Sequence, residues 1–157
     1  IIKKHAEPGD LVFHTDLAGS PFFVIKAQGK IITQKTKEET AQATASFSRA
    51  WNQGLTTAEV YAIAPNQVQK EFGLPKGSFM IHGKREYFTP IVRLYIGLNK
   101  EKYLECTPLK MEFLLKQSGK KTDTAKIIQK QYMEKLNLKL PLDDIIQALP
   151  GDCSLEA

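Results

Sequence analysis

Residues 86–98 read Glu86-Tyr87-Phe88-Thr89-Pro90-Ile91-Val92-Arg93-Leu94-Tyr95-Ile96-Gly97-Leu98, a long strand of mostly β-branched and aromatic residues. Side chains alternate across a strand, so Phe88, Pro90, Val92, Leu94 and Ile96 share one purely apolar face. Tyr87, Thr89, Ile91, Arg93 and Tyr95 share the other, where two tyrosines accompany an arginine. The first face is core, and the second reads as a wet or binding face. Pro90 has no N–H to give a neighbour, which places a bulge or a sheet edge within the strand.

Towards the N-terminus, Gly83-Lys84-Arg85 makes a tight turn, Ser78–His82 is a strand and Leu74-Pro75-Lys76-Gly77 is a loop. Asn66–Phe72 has room for one or two helical turns closed by Gly73. Thr57–Ala64 is rich in strand formers around Val60, Tyr61 and Ile63, and Pro65 ends it. Thr36-Lys37-Glu38-Glu39 has the spacing of a capping box, followed by apolar residues at Ala43, Phe47, Ala50 and Trp51 on one helical stripe. The spacing predicts a helix over 37–52, ended before Gly54 and lying close against a sheet, with Trp51 as a core anchor. Leu11–His14 and Phe22–Lys26 are short strands joined by a turn around Gly19-Ser20-Pro21. Ile1–Ala6 reads as the end of a helix stopped by Pro8-Gly9.

Beyond residue 100, Tyr103–Cys106 reads as a closing strand and Leu109–Leu115 is ambiguous. Thr122-Asp123 caps a helix whose stripe is Ala125, Ile128, Tyr132 and Leu136. Pro141 opens a shorter helix over Leu142–Leu149.

The 157-residue chain is 42% hydrophobic and 25% charged, which excludes disordered and fibrous classes and fits one domain, or one with a small appendage. Net charge is +5, and all of it lies in residues 1–100, with 13 basic and 8 acidic side chains against 9 and 9 in residues 101–157. An anionic partner is therefore to be sought in the first hundred residues. Apolar runs as short as Phe22-Phe23-Val24-Ile25 exclude a membrane-spanning helix in these residues, and no charged start followed by an apolar stretch reads as a secretory signal. Cys106 and Cys153 are too far apart for a CxxC unit and read as thiols in a reducing cytoplasm. His5, His14, His82, Cys106 and Cys153 lack the short ligand pairs of structural zinc, Asp143-Asp144 with Asp152 has no calcium-loop pattern, and Gly83-Lys84 lacks the glycine loop of a nucleotide site. No metal or cofactor is expected. Because Ile1 stands where a methionine would begin a chain, an original N-terminus is expected to be missing.

Several strings resemble one family in order and spacing. Pro8–His14 with Gly19-Ser20-Pro21 comes first, then Ser48-Arg49-Ala50-Trp51, Val60-Tyr61 and Gln67-Val68-Gln69-Lys70. Leu74–Ile81 with Gly83-Lys84-Arg85 is the most specific. Over residues 1 to 98 the chain resembles the NFACT-R domain of the NFACT proteins of ribosome-associated quality control. Residues 101–157 look like the C-terminal segment of stand-alone archaeal versions. The commoner first loop of the family is Pro-Gly-Ser-His, whereas this chain has Ala18-Gly19-Ser20-Pro21, which removes a histidine from a contact loop. The resemblance implies a strand pair ahead of the helix near His5, which this chain either lacks or has lost by truncation. None of the NFACT-N domain, helix-hairpin-helix module and coiled coil of the long family members lies in these 157 residues.

The resemblance implies RNA binding, and the residues supply independent support. Lys76, Lys84, Arg85 and Arg93 fall within eighteen positions holding one acid, Glu86, and Tyr87 and Tyr95 share the face of Arg93. That pattern suits stacking on unpaired bases beside phosphate contacts, and equally suits a solvated sheet surface. We expect an α+β fold, a mainly antiparallel curved sheet in residues 1–100 with the 37–52 helix on one face, and a helical C-terminal extension, 101–157, packed on the same domain. The expected function is non-catalytic binding of tRNA or ribosomal RNA, including that of the large ribosomal subunit. A separately encoded NFACT-type protein is a further expected partner. The expected contacts are His14, Lys26, Arg49, Lys76, Lys84, Arg85, Tyr87, Arg93 and Tyr95. The alternatives are a protein-interaction module of the translation machinery that docks through residues 101–157, and a hydrolase or nucleotide-modifying enzyme built on His14 with Asp16 and Ser20.

Overall fold

The computed structural model describes residues 2–69, 73 and 80–156. In chain order the elements are α1 (Ile2–His5), β1 (Leu11–His14), β2 (Phe23–Ile25), α2 (Gln34–Ser46), β3 (Val60–Ile63), a 3-10 turn (Pro65–Gln67), β4 (Val68–Gln69) and β5 (Met80–Ile81). They continue with β6 (Glu86–Phe88), β7 (Tyr95–Leu98), β8 (Leu104–Thr107), β9 (Phe113–Lys116), α3 (Lys121–Leu136), α4 (Leu142–Ala148) and β10 (Ser154–Leu155). Strand pairing is antiparallel throughout. One four-stranded sheet has the order β2-β1-β3-β6, a second has β10-β9-β7-β8, and β4 and β5 form a separate hairpin. The fold is α+β, as the strand and helix patterns imply.

Residues 86–98 join the two sheets. Their burial alternates as the sequence requires: Val92, Leu94 and Ile96 are buried, whereas Tyr87, Thr89, Ile91 and Arg93 are exposed. Their partners change along the way, so the single long strand expected from sequence is in fact two. Residues 86–88 pair with β3, Thr57 bridges Ile91, and from Leu94 onward the bonds go to β8 and β9. The break has a physical cause at Pro90, whose carbonyl accepts from Ala58 N (3.3 Å) but which has no N–H to return.

The α2 helix begins earlier and ends sooner than the capping-box reading had it. Thr33, not Thr36, is the N-cap, its hydroxyl accepting from Thr36 N (3.2 Å). The helix closes at Ser46 because side chains there take over the backbone's partners: Ser48 Oγ donates to Ala45 O (2.5 Å) and Ser46 Oγ bonds both Arg93 N and Arg93 O. Its buried face is Ala41, Thr44, Ala45 and Ser46, small residues that let the helix lie close to β1 and β3. Phe47 is half-buried, and Ala50 and Trp51 are buried in the turns that follow. Trp51 Nε1 donates to Asp152 O (3.1 Å), tying those turns to the C-terminal tail.

Residues 101–157 contain both expected helices and also strands β8, β9 and β10, so this segment builds most of the second sheet. Ala125, Ile128 and Tyr132 of α3 are buried, but Leu136, the last of the expected stripe, is 58% exposed because the helix ends there at Asn137 in the left-handed conformation. Thr122-Asp123 does not cap α3, whose N-cap is Lys120 without a side-chain bond; Thr124 Oγ1 instead donates to Cys153 O. One apolar core, from Phe13 and Val60 through Leu94 and Ile96 to Ile128 and Ile145, runs between both sheets and the helices. Where helical turns were expected over 66–72, the described residues 66–69 hold the end of the 3-10 turn and then β4. Lys70–Phe72 and the Leu74–Phe79 string lie outside the described residues.

Candidate nucleic-acid interface

The two faces of the first sheet divide its side chains by register. Phe13, Ala62, Val60 and Phe88 face α2 and the core, and directly paired residues share a face. On the other face, His14 pairs with Tyr61 and Tyr61 with Tyr87, which places three rings in a row across β1, β3 and β6. The bonds Ala58 N to Pro90 O and Val92 N to Thr56 O bracket Thr57 and Ile91 as a pair without mutual hydrogen bonds. Counting by twos, Tyr61 and Tyr87 are a pair of the same kind, the type in which side chains stand closest.

The rings meet at edges and faces. His14 stacks on Phe22 with centroids 3.9 Å apart and planes at 8°, and meets Tyr61 edge-on at 6.1 Å; Tyr61 meets Tyr87 at 6.5 Å. The Arg85 guanidinium lies over the Tyr61 ring, 4.7 Å from its centroid. Tyr61 is therefore buried at the centre of the row, while Tyr87 is 55% exposed. Burial raises the Tyr61 phenol above its usual range, reinforced by Asp16 and opposed by Arg85. Val12, Ile63, Val68 and Ile81 close the apolar end of this face.

The loop after β1 is fixed by its own hydroxyls. Thr15 and Ser20 bond each other (2.9 Å), Leu17 N donates to Thr15 Oγ1, and Ser20 Oγ donates to Leu17 O. Gly19 has φ +75°, and a Cβ there would sit 3.3 Å from Arg49 Nε, so Arg49 packs against a turn that suits glycine alone. Together with His14, Phe22, Tyr61, Val68 and Ile81 the loop bounds a concavity of about 370 Å³. His14 Nδ1 bonds Pro21 O (3.1 Å), which makes Nδ1 the protonated nitrogen; burial lowers its pKa below 6.5, against the pull of that bond and of Asp16.

The Gly83-Lys84-Arg85 turn is held by Gln67, to which the sequence pattern assigned no structural role. Gln67 Oε1 accepts from Ala64 N (2.7 Å), and Nε2 donates to His82 O (2.9 Å) and Lys84 O (2.8 Å). One side chain thus sets both the start of the 3-10 turn and the position of Lys84 and Arg85. The signal in the sequence was the polar Gln67 between Pro65 and the apolar Val68, which alone did not reveal its partners.

The structure brings together His14, Arg49, Lys84, Arg85 and Tyr87 around the 15–20 loop and the 83–85 turn. Three other expected residues lie elsewhere. Lys26 is engaged by Asp10 Oδ2 (2.7 Å) and by the carbonyl of His5. Its hydrogen bond, with those of Glu7 N and Ala27 N, holds the buried Asp10 carboxyl down at about 2. Arg93 is exposed, its backbone pinned by Ser46 at the end of α2, and Tyr95 is half-buried in the second sheet. Tyr87 and Tyr95 thus belong to different sheets, because the strand changes partners at Pro90. Lys76 lies outside the described residues.

The His14, Asp16 and Ser20 set is not arranged as a relay. Ser20 donates to Leu17 O, His14 Nδ1 is taken by Pro21 O, and Asp16 faces Arg85 at 3.9 Å. Burial pushes the Cys106 and Cys153 thiols up to about 12 and about 11, which leaves little thiolate. Among the described residues no cluster of three His, Cys, Asp or Glu could hold a metal ion, and no helix is long and apolar enough to cross a membrane.

A row of rings crossed by an arginine, with Tyr87 exposed at its end, offers the stacking and cationic groups that nucleic-acid-binding domains use for bases and phosphates. The family model of the NFACT protein RNA binding domain matches residues 1–83, which include His14 and Tyr61 of this row and stop short of Lys84, Arg85 and Tyr87. The chain belongs to the NFACT RNA-binding domain family. RNA binding is the function for which the family is named. The archaeal Rqc2 homologue aRqcH of Methanocaldococcus jannaschii is 44% identical over 97 residues, 58% of this chain and 14% of that protein. The ribosome quality control complex subunits NEMF of Mus musculus and Homo sapiens are each 34% identical over 96 residues, 57% of this chain and 9% of theirs. The chain thus matches only a small part of these curated relatives' length. A solved structure, the C-terminal part of the fibronectin/fibrinogen-binding protein of Streptococcus suis, is 25% identical, covering 57% of this chain and 35% of that one with a TM-score of 0.44.

Proposed function

We propose that this domain binds structured RNA, tRNA or ribosomal RNA of the large subunit, within cytoplasmic ribosome quality control, and that it does so without catalysis. The observation that carries the reading is the row of His14, Tyr61 and Tyr87 with Arg85 stacked over its central ring. In this reading Tyr87 offers a face to an unpaired base, while Arg85, Lys84 and Arg49 meet phosphates. Lys76 supplies a further phosphate contact, and Arg93, which stands apart at the end of α2, is not part of this set. His14 shapes the concavity beside them, and Lys26 contributes by holding the β2 end against Asp10. Residues 101–157 form a structural annex that completes the core, and an NFACT-type protein is a further partner.

The test is tRNA affinity as a function of salt. Affinity should fall steeply as salt rises, and the Lys84→Glu/Arg85→Glu variant should lose most of it while remaining folded. An affinity indifferent to both salt and the double variant refutes the reading, and a pull-down of a protein partner that survives nuclease treatment then favours the interaction-module alternative.

A further inference from the structure

Strand β6 lies at the end of its sheet, with β3 on one side and no strand on the other among the described residues. The bond pattern at Ala58, Pro90, Val92 and Thr56 fixes which backbone groups face outward. Phe88 and Pro90 turn towards β3 and its extension, so the N–H and C=O groups of Tyr87, Thr89 and Ile91 point away from it. The side chains of these three residues are also exposed. An open edge of this kind is a template for another strand, and proteins ordinarily cover or blunt it.

A groove of about 360 Å³ runs beneath this edge, between α2 and the strand. Phe88, Pro90 and Ile91 form its apolar wall on one side and Ala41 with Gln42 on the other, and Glu38 is the one charged group lining it. The neighbouring acids are engaged, Glu39 with Lys35 and Glu86 with Lys37, whereas Glu38 has no ion pair among the described residues. We infer that the β6 edge is a docking site for an extended peptide segment of another protein, which adds as a strand beside Tyr87–Ile91, drops an apolar side chain into the groove and brings a Lys or Arg to Glu38. The edge is four residue steps long, about 13 Å, enough for a strand of about five residues. Charge complementarity selects this occupant over a second copy of the chain. A copy docked edge to edge would bring its own Glu38 to the same seam, where like charges repel.

The probe is a fluorescein-labelled seven-residue peptide alternating Thr and Val, with one terminal Lys, titrated into the isotopically labelled chain. Binding should move the amide resonances of Tyr87, Thr89 and Ile91 together with those of Glu38 and Ala41. N-methylation of the Thr residues, whose N–H groups face the edge, should abolish binding, and N-methylation of the Val residues should leave it intact. Glu38→Lys should weaken the lysine peptide about threefold, and a glutamate-bearing peptide should recover that loss. No shifts at up to about 1 mM peptide, or equal sensitivity to both methylation patterns, overturns the inference. Movement of the Tyr87 and Thr89 amides on simple concentration of the protein assigns the edge to a second copy, and movement of Glu38 and Ala41 by tRNA assigns it to nucleic acid; either result overturns it as well.

Discussion

Replacing Arg85 by Lys separates the two roles assigned to this side chain. In the free protein Arg85 makes a cation–π contact with Tyr61 at 4.7 Å and a loose ion pair with Asp16, whose side chain is 75% exposed. The first contributes about 0.5–1 kcal/mol at a partly exposed site and the second no more than about 0.5 kcal/mol. Arg85→Lys should therefore lower unfolding free energy in urea by at most about 1.5 kcal/mol. Binding should suffer more selectively. Lysine keeps the charge but loses the planar fork and the stack, costing about 1–2 kcal/mol of affinity, or roughly 5- to 30-fold. The slope of log affinity against log salt should be unchanged in Arg85→Lys and shallower by about 0.7–0.9 in Arg85→Ala, because only the second loses a phosphate contact. Fluorescence anisotropy with labelled tRNA over a salt series measures both quantities, and an absorbance titration reads Tyr61, whose phenol should ionise at still higher pH in Arg85→Ala because the guanidinium holds it down. Wild-type affinity in Arg85→Lys, or a slope that falls equally in both variants, would refute the stacked arrangement as the working one.

Gln67→Leu removes three hydrogen bonds, with Ala64 N, His82 O and Lys84 O, without touching a charge, and should cost about 1–3 kcal/mol in a urea melt while leaving the salt slope of RNA binding unchanged. Asp10, held at about 2 by Lys26 against an ordinary value of 3.8, contributes stability that is complete above about pH 4 and fades as pH falls towards 2. Lys26→Met should flatten that acid limb of the melting curve. Burial lowers the pKa of His14, so its stabilising effect is complete above pH 6.5 and declines as pH falls through the folded value; His14→Gln should remove that decline from thermal melts between neutral and mildly acidic pH.

What the sequence disclosed followed from local rules. Alternation along 86–98 foretold which side chains are buried, and Gly83-Lys84-Arg85 was legible as a turn because glycine there takes a positive φ. The partners of that strand were not legible, since one residue, Pro90, decides where it leaves β3 and the exchange depends on residues 17 to 36 positions away. The α2 start was misplaced because Thr33 and Thr36 both lead polar, helix-forming segments, and only the backbone conformation at Thr33 selects between them. β10 is two residues long, too short for any periodicity, and exists because Trp51 and Thr124 hold the tail against β9.

The candidate site shows the same division. Basic residues near the 83–85 turn and Tyr87 could be read from composition, but the ring row needs the registers of three strands drawn from separate parts of the chain. Tyr61, named only as a strand former, was therefore given no part in the site, since its neighbours His14 and Tyr87 are far off in sequence. Lys26 was legible as a cation at a strand end, yet its engagement with Asp10 depends on the turn at Glu7–Asp10, which buries the Asp10 carboxyl beneath exposed Glu7, Pro8 and Gly9.

Photo-crosslinking of thiouridine-substituted tRNA to the intact domain, with the adducts located by mass spectrometry, tests most directly where RNA sits. Adducts on the peptides carrying His14 to Phe22 and Lys84 to Tyr87, lost in Lys84→Glu/Arg85→Glu, are the predicted result. Adducts confined to α3, α4 or β8, or undiminished in the double variant, would contradict the account.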